Sequence, residues 1–217
     1  MQGKSIIFVC SLIAAGLSLT ALSSASARYE EPKWSIVRKD DQFEIRKYPR
    51  LVAASVTVNG VTDRAANSAF SILAGYIFGK NSGRKKIEMT TPVTQETGST
   101  KIAMTVPVTT SINQDSLTMK FYMPAQYELE TLPEAHDKRI KFAVLAPQLY
   151  ATVRFSGRAK EASISKHTQE LKDYLNTHGL VATGEPVVAF YNPPWTPPFL
   201  RRNEVWLPIR EAVEKKS

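Results

Sequence analysis

Four cations follow an apolar, helix-spaced stretch, the order of surface that an amphipathic anion needs. Phe70, Leu73, Ala74, Ile77 and Phe78 supply the apolar part; Lys80, Arg84, Lys85 and Lys86 come directly after it. An amphipathic anion can bury its apolar part on the first group and pair its charge with the second. The same residues also read as ordinary core, followed by a solvated basic loop that complements a helix C-terminus. Three histidines, His136, His167 and His178, and the thioethers Met89 and Met104 are available as metal ligands. His178 stands where a cation complements a helix end. His167 lies beside an apolar stripe, so it, Met89 and Met104 are weak metal candidates. No Gly-x-Ser-x-Gly elbow, His-Glu-x-x-His, phosphate loop or Cys/His cluster occurs. Glu30-Glu31 and Asp40-Asp41 are adjacent pairs in turn-like settings, not facing carboxylates. No catalytic residue is assigned, and binding is expected, not catalysis.

The elements that must hold these residues follow from periodicity. Thr62 is an N-cap with Asp63 in the first turn, where a negative charge meets the helix dipole. Ala65, Ala69, Ile72, Leu73 and Tyr76 keep helical spacing, and Gly79 closes the helix. Phe70, Ile77 and Phe78 widen its apolar arc beyond one stripe, so the helix either sits deep or offers a second face. Before it, Trp34–Arg38, Phe43–Tyr48 and Val52–Val58 read as strands, the middle one alternating apolar and charged residues as a half-buried strand does. After it, two short strands are expected around Met89 and Met104, joined by a hairpin at Thr97-Gly98-Ser99. Leu117–Met123 is another strand, and Gln126–Lys138 a polar, Pro-containing linker. The second half reads as strands Ile140–Leu145 and Leu149–Phe155, a helix over Ser163–His178, and a strand over Val187–Tyr191. A Pro-rich loop with Trp195 follows, and Arg201-Arg202-Asn203-Glu204 leads into a last strand.

The two halves echo each other. Val52–Gly60 matches Leu149–Gly157 at an offset of 97 residues. Met104-Thr105-Val106-Pro107-Val108, itself a near copy of Met89-Thr90-Thr91-Pro92-Val93, is echoed by Val205-Trp206-Leu207-Pro208-Ile209 at an offset of 101. Two copies are too few for an open solenoid. The expected fold is α+β: a distorted, largely antiparallel β-barrel flanked by two helices and built from two pseudo-symmetric repeats. The repeats are expected at about 34–124 and 140–210, around a linker at about 125–139.

Residues 1–27 read as a cleaved secretory signal peptide. Lys4 gives a positive start, Ser5 to Leu22 is uncharged and mostly apolar, and Ala25-Ser26-Ala27 suits a signal peptidase. The alternative is a retained anchor, because about 18 apolar residues are borderline for spanning a bilayer. Removal of 27 of the 217 residues leaves 190, which suits one domain with a full core. Lys4 is the only charged residue removed, so the net charge falls from +8 to +7. The only cysteine, Cys10, lies in the removed segment. Disulfides and thiolate metal sites are therefore excluded. A periplasmic or secreted monomer is expected, with no stable membrane insertion after cleavage and no nucleic-acid partner, since no such motif is present.

Beyond these readings, the chain resembles the SOUL haem-binding family. The resemblance rests on an ordered set of segments between about Glu31 and Ile209: Phe43-Glu44-Ile45-Arg46-Lys47-Tyr48-Pro49, Leu73-Ala74-Gly75-Tyr76-Ile77-Phe78-Gly79, and Lys86 to Val93. It continues through Ile102 to Val108, Phe121-Tyr122-Met123-Pro124, Leu129 to Pro133, Tyr191-Asn192-Pro193-Pro194-Trp195 and Arg201 to Trp206. The resemblance implies non-covalent haem or free porphyrin in an open cleft beside the first helix, with a role in sequestration or transport. Relatives carry a basic residue where Ser71 and Ile72 stand here. A relative's lysine in the Pro-rich loop also has no charged counterpart among Thr196, Pro197 and Pro198. The resemblance therefore leaves propionate pairing to Lys80, Arg84, Lys85 or Lys86, with Arg201 or Arg202 behind them. The same fold binding another amphipathic anionic molecule, or an envelope protein-interaction module without haem, are the alternatives.

Overall fold

The computed structural model describes residues 29–97, 116–193 and 195–210. The expected signal peptide, the hairpin at Gly98-Ser99 and the strand around Met104 lie outside these residues. In chain order the elements are β1 (Ser35–Asp40), β2 (Phe43–Tyr48), β3 (Leu51–Asn59), α1 (Asp63–Ile77), β4 (Val93–Thr97) and β5 (Ser116–Tyr122). Then come β6 (Lys141–Leu145), β7 (Gln148–Phe155), α2 (Glu161–Thr177), β8 (Val181–Ala182), β9 (Val187–Phe190) and β10 (Asn203–Arg210).

All but β8 lie on one antiparallel path, β1-β2-β7-β10-β9-β4-β5-β3-β6, with β8 added to the end of β10. Apart from β1 at the edge, this path is a palindrome. Reading outward from the β4–β9 pair, β5 corresponds to β10, β3 to β7 and β6 to β2. β4 and β9 meet with Val93 opposite Phe190 and Glu96 opposite Val187, so the pseudo-two-fold lies between them. The sheet curls without joining β1 to β6, which gives the expected α+β architecture as a half-open barrel.

Strand alternation divides the side chains between two faces. On one face, Val52, Ala54 and Val56 of β3 with Leu117, Met119 and Phe121 of β5 meet Ala69, Leu73 and Ile77 of α1. Ala151 and Val153 of β7 with Val205 and Leu207 of β10 meet Leu171 and Leu175 of α2. Each fully buried Val, Leu or Ile side chain among them contributes about 1.5–3 kcal/mol relative to exposure. The opposite, concave face is filled by aromatics: Tyr48, Tyr122, Tyr191 and Trp206, with Trp34 and Tyr150 against them.

Several local expectations shift. The strand expected around Met89 begins instead at Val93. Pro92 cannot donate to a ladder, and Thr90 is spent on an isolated bridge to Glu30 and a hydroxyl bond to the Tyr122 carbonyl. β2 is not half-buried: Arg46, on its charged side, is 3% exposed. β10 starts two residues early and takes in buried Asn203 and Glu204. Its counterpart in the palindrome is β5; residues 104–108, which echo 205–209 in sequence, lie outside the described residues. Pro208 lies between the end of the β9 ladder at Trp206 and the β8 pairing at Ile209.

A cationic cleft beside the first helix

α1 forms where the sequence places it. Thr62 accepts the Ala65 N–H at 3.2 Å through Oγ1. At the other end Phe78 caps the helix, its N–H donating to the Ala74 carbonyl at 2.9 Å, and Gly79 follows at φ +109°, a conformation that favours glycine. At about 100° per residue, the wide apolar arc splits three ways. Leu73 and Ile77 are 0% and 1% exposed in the core beneath the helix, with no surface to offer a ligand in this conformation. Ala74 is 9% exposed at the margin. Phe70 and Phe78, 37% and 63% exposed, lie on one outer flank, where Phe70 meets the Phe121 ring edge-on at 5.4 Å.

The opposite flank carries a cleft. Ser68, Ser71, Ile72 and Tyr76 form one wall, Lys80 one end, and His136, Asp137, Lys138, Arg139 and Ile140 the other wall. It is open to solvent and holds about 650 Å³, within the usual size of a small-molecule site. Lys80 reaches it because residue 75 is glycine. A Cβ there would stand 3.0 Å from Lys80 Cδ, so the lysine stem lies along bare backbone. Asn81, fully buried, sets the course of the basic loop. Its Nδ2 donates to the carbonyls of Tyr76 at 2.7 Å and Lys85 at 2.8 Å, and its Oδ1 accepts the Lys85 N–H at 2.9 Å.

The two walls are tied together. Asn81 bridges Ala135, the His136 N–H donates to the Lys80 carbonyl at 3.3 Å, and the Ser82 N–H donates to the Glu134 carbonyl at 2.8 Å. The Tyr76 hydroxyl donates to the Pro133 carbonyl at 2.9 Å. Burial pushes the Tyr76 phenol up to about 12, so it stays a neutral donor. Asp137 is clamped by Arg139 at 2.6 Å, and that hydrogen bonding holds its carboxyl at about 2. The cleft therefore presents Lys80, Lys138, an Arg139–Asp137 pair and the His136 side chain.

Of the residues assigned from sequence, only Lys80 lines this cleft. Arg84, Lys85 and Lys86 are exposed on the loop beyond it. His167 is on α2, stacked on Phe155 at 4.3 Å, with Nδ1 against the Ser163 carbonyl at 2.7 Å. His178 holds the Tyr174 carbonyl at the end of the same helix. Met89 packs against the core beneath α1, and Met104 lies outside the described residues. Arg202 is committed to Glu31 and Glu204. His136, named from sequence only as one of three available histidines, lines the cleft, and Lys138 and Arg139 were missed. Their signal was the density of charge over residues 134–139, which reads as a solvated linker until the fold sets it against α1.

A second polar centre is buried on the concave face. Arg46 makes a two-pronged pair with Glu204 at 2.7 and 3.1 Å. Glu204 also accepts from Tyr191 and Trp206, both at 2.7 Å, and from Arg202 at 3.0 Å. Trp34 lies over Arg46 at 4.9 Å. Burial alone would raise the Glu204 carboxyl, but the Arg46 hydrogen bonds and charge outweigh it and hold the group below 4.5. This centre is fully paired and holds the structure together.

The architecture is thus an α+β half-barrel with a ligand-sized cleft outside the sheet. The family model for the SOUL heme-binding protein matches residues 29–208, and the chain belongs to that family. Heme-binding protein 2 of Mus musculus is 26% identical over 197 residues, covering 86% of this chain and 89% of that protein. Heme-binding protein 1 of Mus musculus is 29% identical over 179 residues, covering 78% and 85%. Among solved structures, the C-terminal domain of EcmrR superposes with a TM-score of 0.58 at 11% identity, over 79% of this chain and 98% of that one. A hydrolase from Listeria innocua gives 0.53 at 15% identity, over 80% and 94%. These last two share the fold.

Proposed function

We propose that this chain binds haem or a free porphyrin non-covalently in the α1 cleft, as an exported protein that sequesters or carries it. The observation that supports this most is the cleft's own make-up. Ile72 offers apolar contact to a ring edge above the nearly buried Tyr76 and Ile140, and Lys80, Lys138 and Arg139 stand around it as partners for propionates. His136 lines this cleft and would be the candidate metal ligand there, whereas His167 and Met89 do not line it. Both relatives described above carry heme binding in their names. The chain has no Cys-x-x-Cys-His, so attachment through thioethers is excluded. Removal of residues 1–27 would release a monomer into the periplasm or medium. Among the described residues no helix is long and apolar enough to cross a membrane.

A second placement rests on Phe70, Ala74 and Phe78. That outer flank exposes aromatic surface, and the ligand would use it with Arg84, Lys85 and Lys86 as anchors. Haem titration followed in the Soret band tests both. Ser71→Trp fills the α1 cleft from an exposed position and is expected to weaken binding at least about tenfold, or about 1.4 kcal/mol. Ala74→Asp with Phe78→Ser, checked for folding by circular dichroism, addresses the other flank. A folded Ser71→Trp protein with the parent's affinity would move the site to Phe70 and Phe78. If the parent shows no Soret change, haem binding falls, and the same cleft is left for another amphipathic anion.

A further inference from the structure

The two most exposed large apolar side chains among the described residues, Trp195 and Phe199, share a loop with Leu200, remote from α1 in sequence. Trp195, Phe199 and Leu200 are 80%, 75% and 62% exposed. Proline limits the loop's freedom. Pro197 and Pro198 precede the aromatic tip, and a short 3-10 turn holds Pro198–Leu200. The loop is also tied down. The Gly157 N–H donates to the Pro198 carbonyl at 2.9 Å, Arg201 Nε donates to the Thr196 carbonyl at 2.8 Å, and Asn203 Nδ2 donates to the Gly157 carbonyl at 3.0 Å. The three apolar side chains are therefore held outward by a braced loop.

Positive charge surrounds them. An open cleft of about 520 Å³ runs under the turn, lined by Gln42, Arg154, Phe155, Ser156, Phe199, Leu200 and Arg201. Arg158 and Lys160, both exposed, flank Gly157 at the same end. The adjoining segments also carry acids: Asp40, Asp41 and Glu44 around Gln42, and Glu161 beside Lys160; of these, Asp40 pairs with Arg38, and Glu44 with Lys39 and Arg46. Exposed Trp and Phe beside Arg and Lys is the chemistry of a lipid–water interface. The rings enter the headgroup layer and the cations meet its negative charge.

We propose that this loop docks the protein on an anionic phospholipid surface. Trp195, Phe199 and Leu200 enter the interface, and one headgroup phosphate sits in the cleft between Arg154 and Arg201, with Gln42 and Ser156 as further hydrogen-bonding groups. The inference does not depend on the ligand of α1. A tetrapyrrole carrier that rests on a bilayer would, however, take its cargo from a phase in which such molecules dissolve.

The test is quenching of Trp195 by vesicles with brominated acyl chains, using the full chain. Trp195→Phe serves as the subtracted reference, because Trp34 and Trp206 also emit. With brominated phosphatidylglycerol, the Trp195 component is expected to shift to the blue and be quenched; with brominated phosphatidylcholine it is not. Arg154→Gln and Arg201→Gln are each expected to lower the vesicle affinity read this way by about fivefold. Phe199→Ser with Leu200→Ser, at positions too exposed to disturb folding, is expected to abolish the blue shift. Vesicles that pellet with the chain while Trp195 stays unquenched would overturn the proposal, since the contact would then lie elsewhere. Equal quenching in both lipids would overturn the role of the cations.

Discussion

At the scale of single residues, Arg46 and Glu204 decide most. They lie 158 residues apart in sequence and are both buried. Removing one partner leaves the other's charge without compensation in the interior, which costs about 3–5 kcal/mol. Arg46→Met is therefore expected to lower unfolding free energy by that much in urea titrations. Acid should act through the same group. Glu204 has its pKa depressed in the folded state by Arg46, after burial has opposed the shift. Glu44 is depressed in the same way, its own desolvation outweighed by Arg46. Their stabilisation is complete above about 4.5, the ordinary glutamate value. It is lost as pH falls below that, through the folded pKa. Urea midpoints should thus be level from pH 7 to 5 and fall below about 4.5, and Arg46→Met should flatten this acid limb. Gly75 is a second decisive residue. Gly75→Ala should stabilise α1 by about 0.5–1 kcal/mol, because only the flexible stem of Lys80 stands in the way. The same change lifts Lys80 out of the cleft, so haem affinity should fall by up to about fivefold while melting temperature rises.

At the scale of elements, the 80–86 loop and the 133–139 segment behave as one unit. Asn81 bridges Ala135, and backbone bonds from Ser82 to Glu134 and from His136 to Lys80 join the segments, while three side-chain hydrogen bonds from Asn81 to Tyr76 and Lys85 shape the loop itself. Asn81→Ala strands the Lys85 N–H and one of two nearby carbonyls, at about 1–3 kcal/mol. Hydrogen exchange should accelerate at Lys85 and His136 ahead of the strands, because the loss is local. Faster exchange throughout, with no difference between loop and sheet, would show that the cleft wall is not a separate unit. α1 itself was legible from its 3.6-residue period and from Thr62. β4 was not, because the pattern around Met89 alternates as a strand should. Only the bridge from Thr90 to Glu30 shows why the ladder starts later.

At the scale of the whole molecule, the lead-in before β1 closes the concave face. Glu30 accepts the Ala125 N–H at 2.9 Å, Glu31 pairs with Arg202 at 3.2 Å, and Trp34 covers Arg46 and meets Tyr48 at 5.7 Å. Trp34→Ala should cost about 2–3 kcal/mol, at or below the lower end for a buried aromatic because Trp34 is only half-buried. Its urea transition should stay single and cooperative, since β2, β7 and β10 share the cluster beneath.

Periodicity and capping alone determined the two helices, most strands, the α+β class and the pairing of halves, because those signals are local and repeat every two or 3.6 residues. The alternating charge of β2 was equally visible. Its meaning was not: Arg46 reads as a solvent-facing residue until Glu204 arrives from β10. The same holds for the cleft. His136, Lys138 and Arg139 look like a solvated linker, and Leu73 and Ile77 look like ligand surface. Chain order is silent on which side of α1 faces the sheet. Packing against β3 and β5 decided that, burying Leu73 and Ile77 and leaving Ser68, Ser71 and Lys80 opposite His136. Contacts between residues 50 to 160 positions apart carry no signature in spacing, since each partner is chosen by the curl of the sheet.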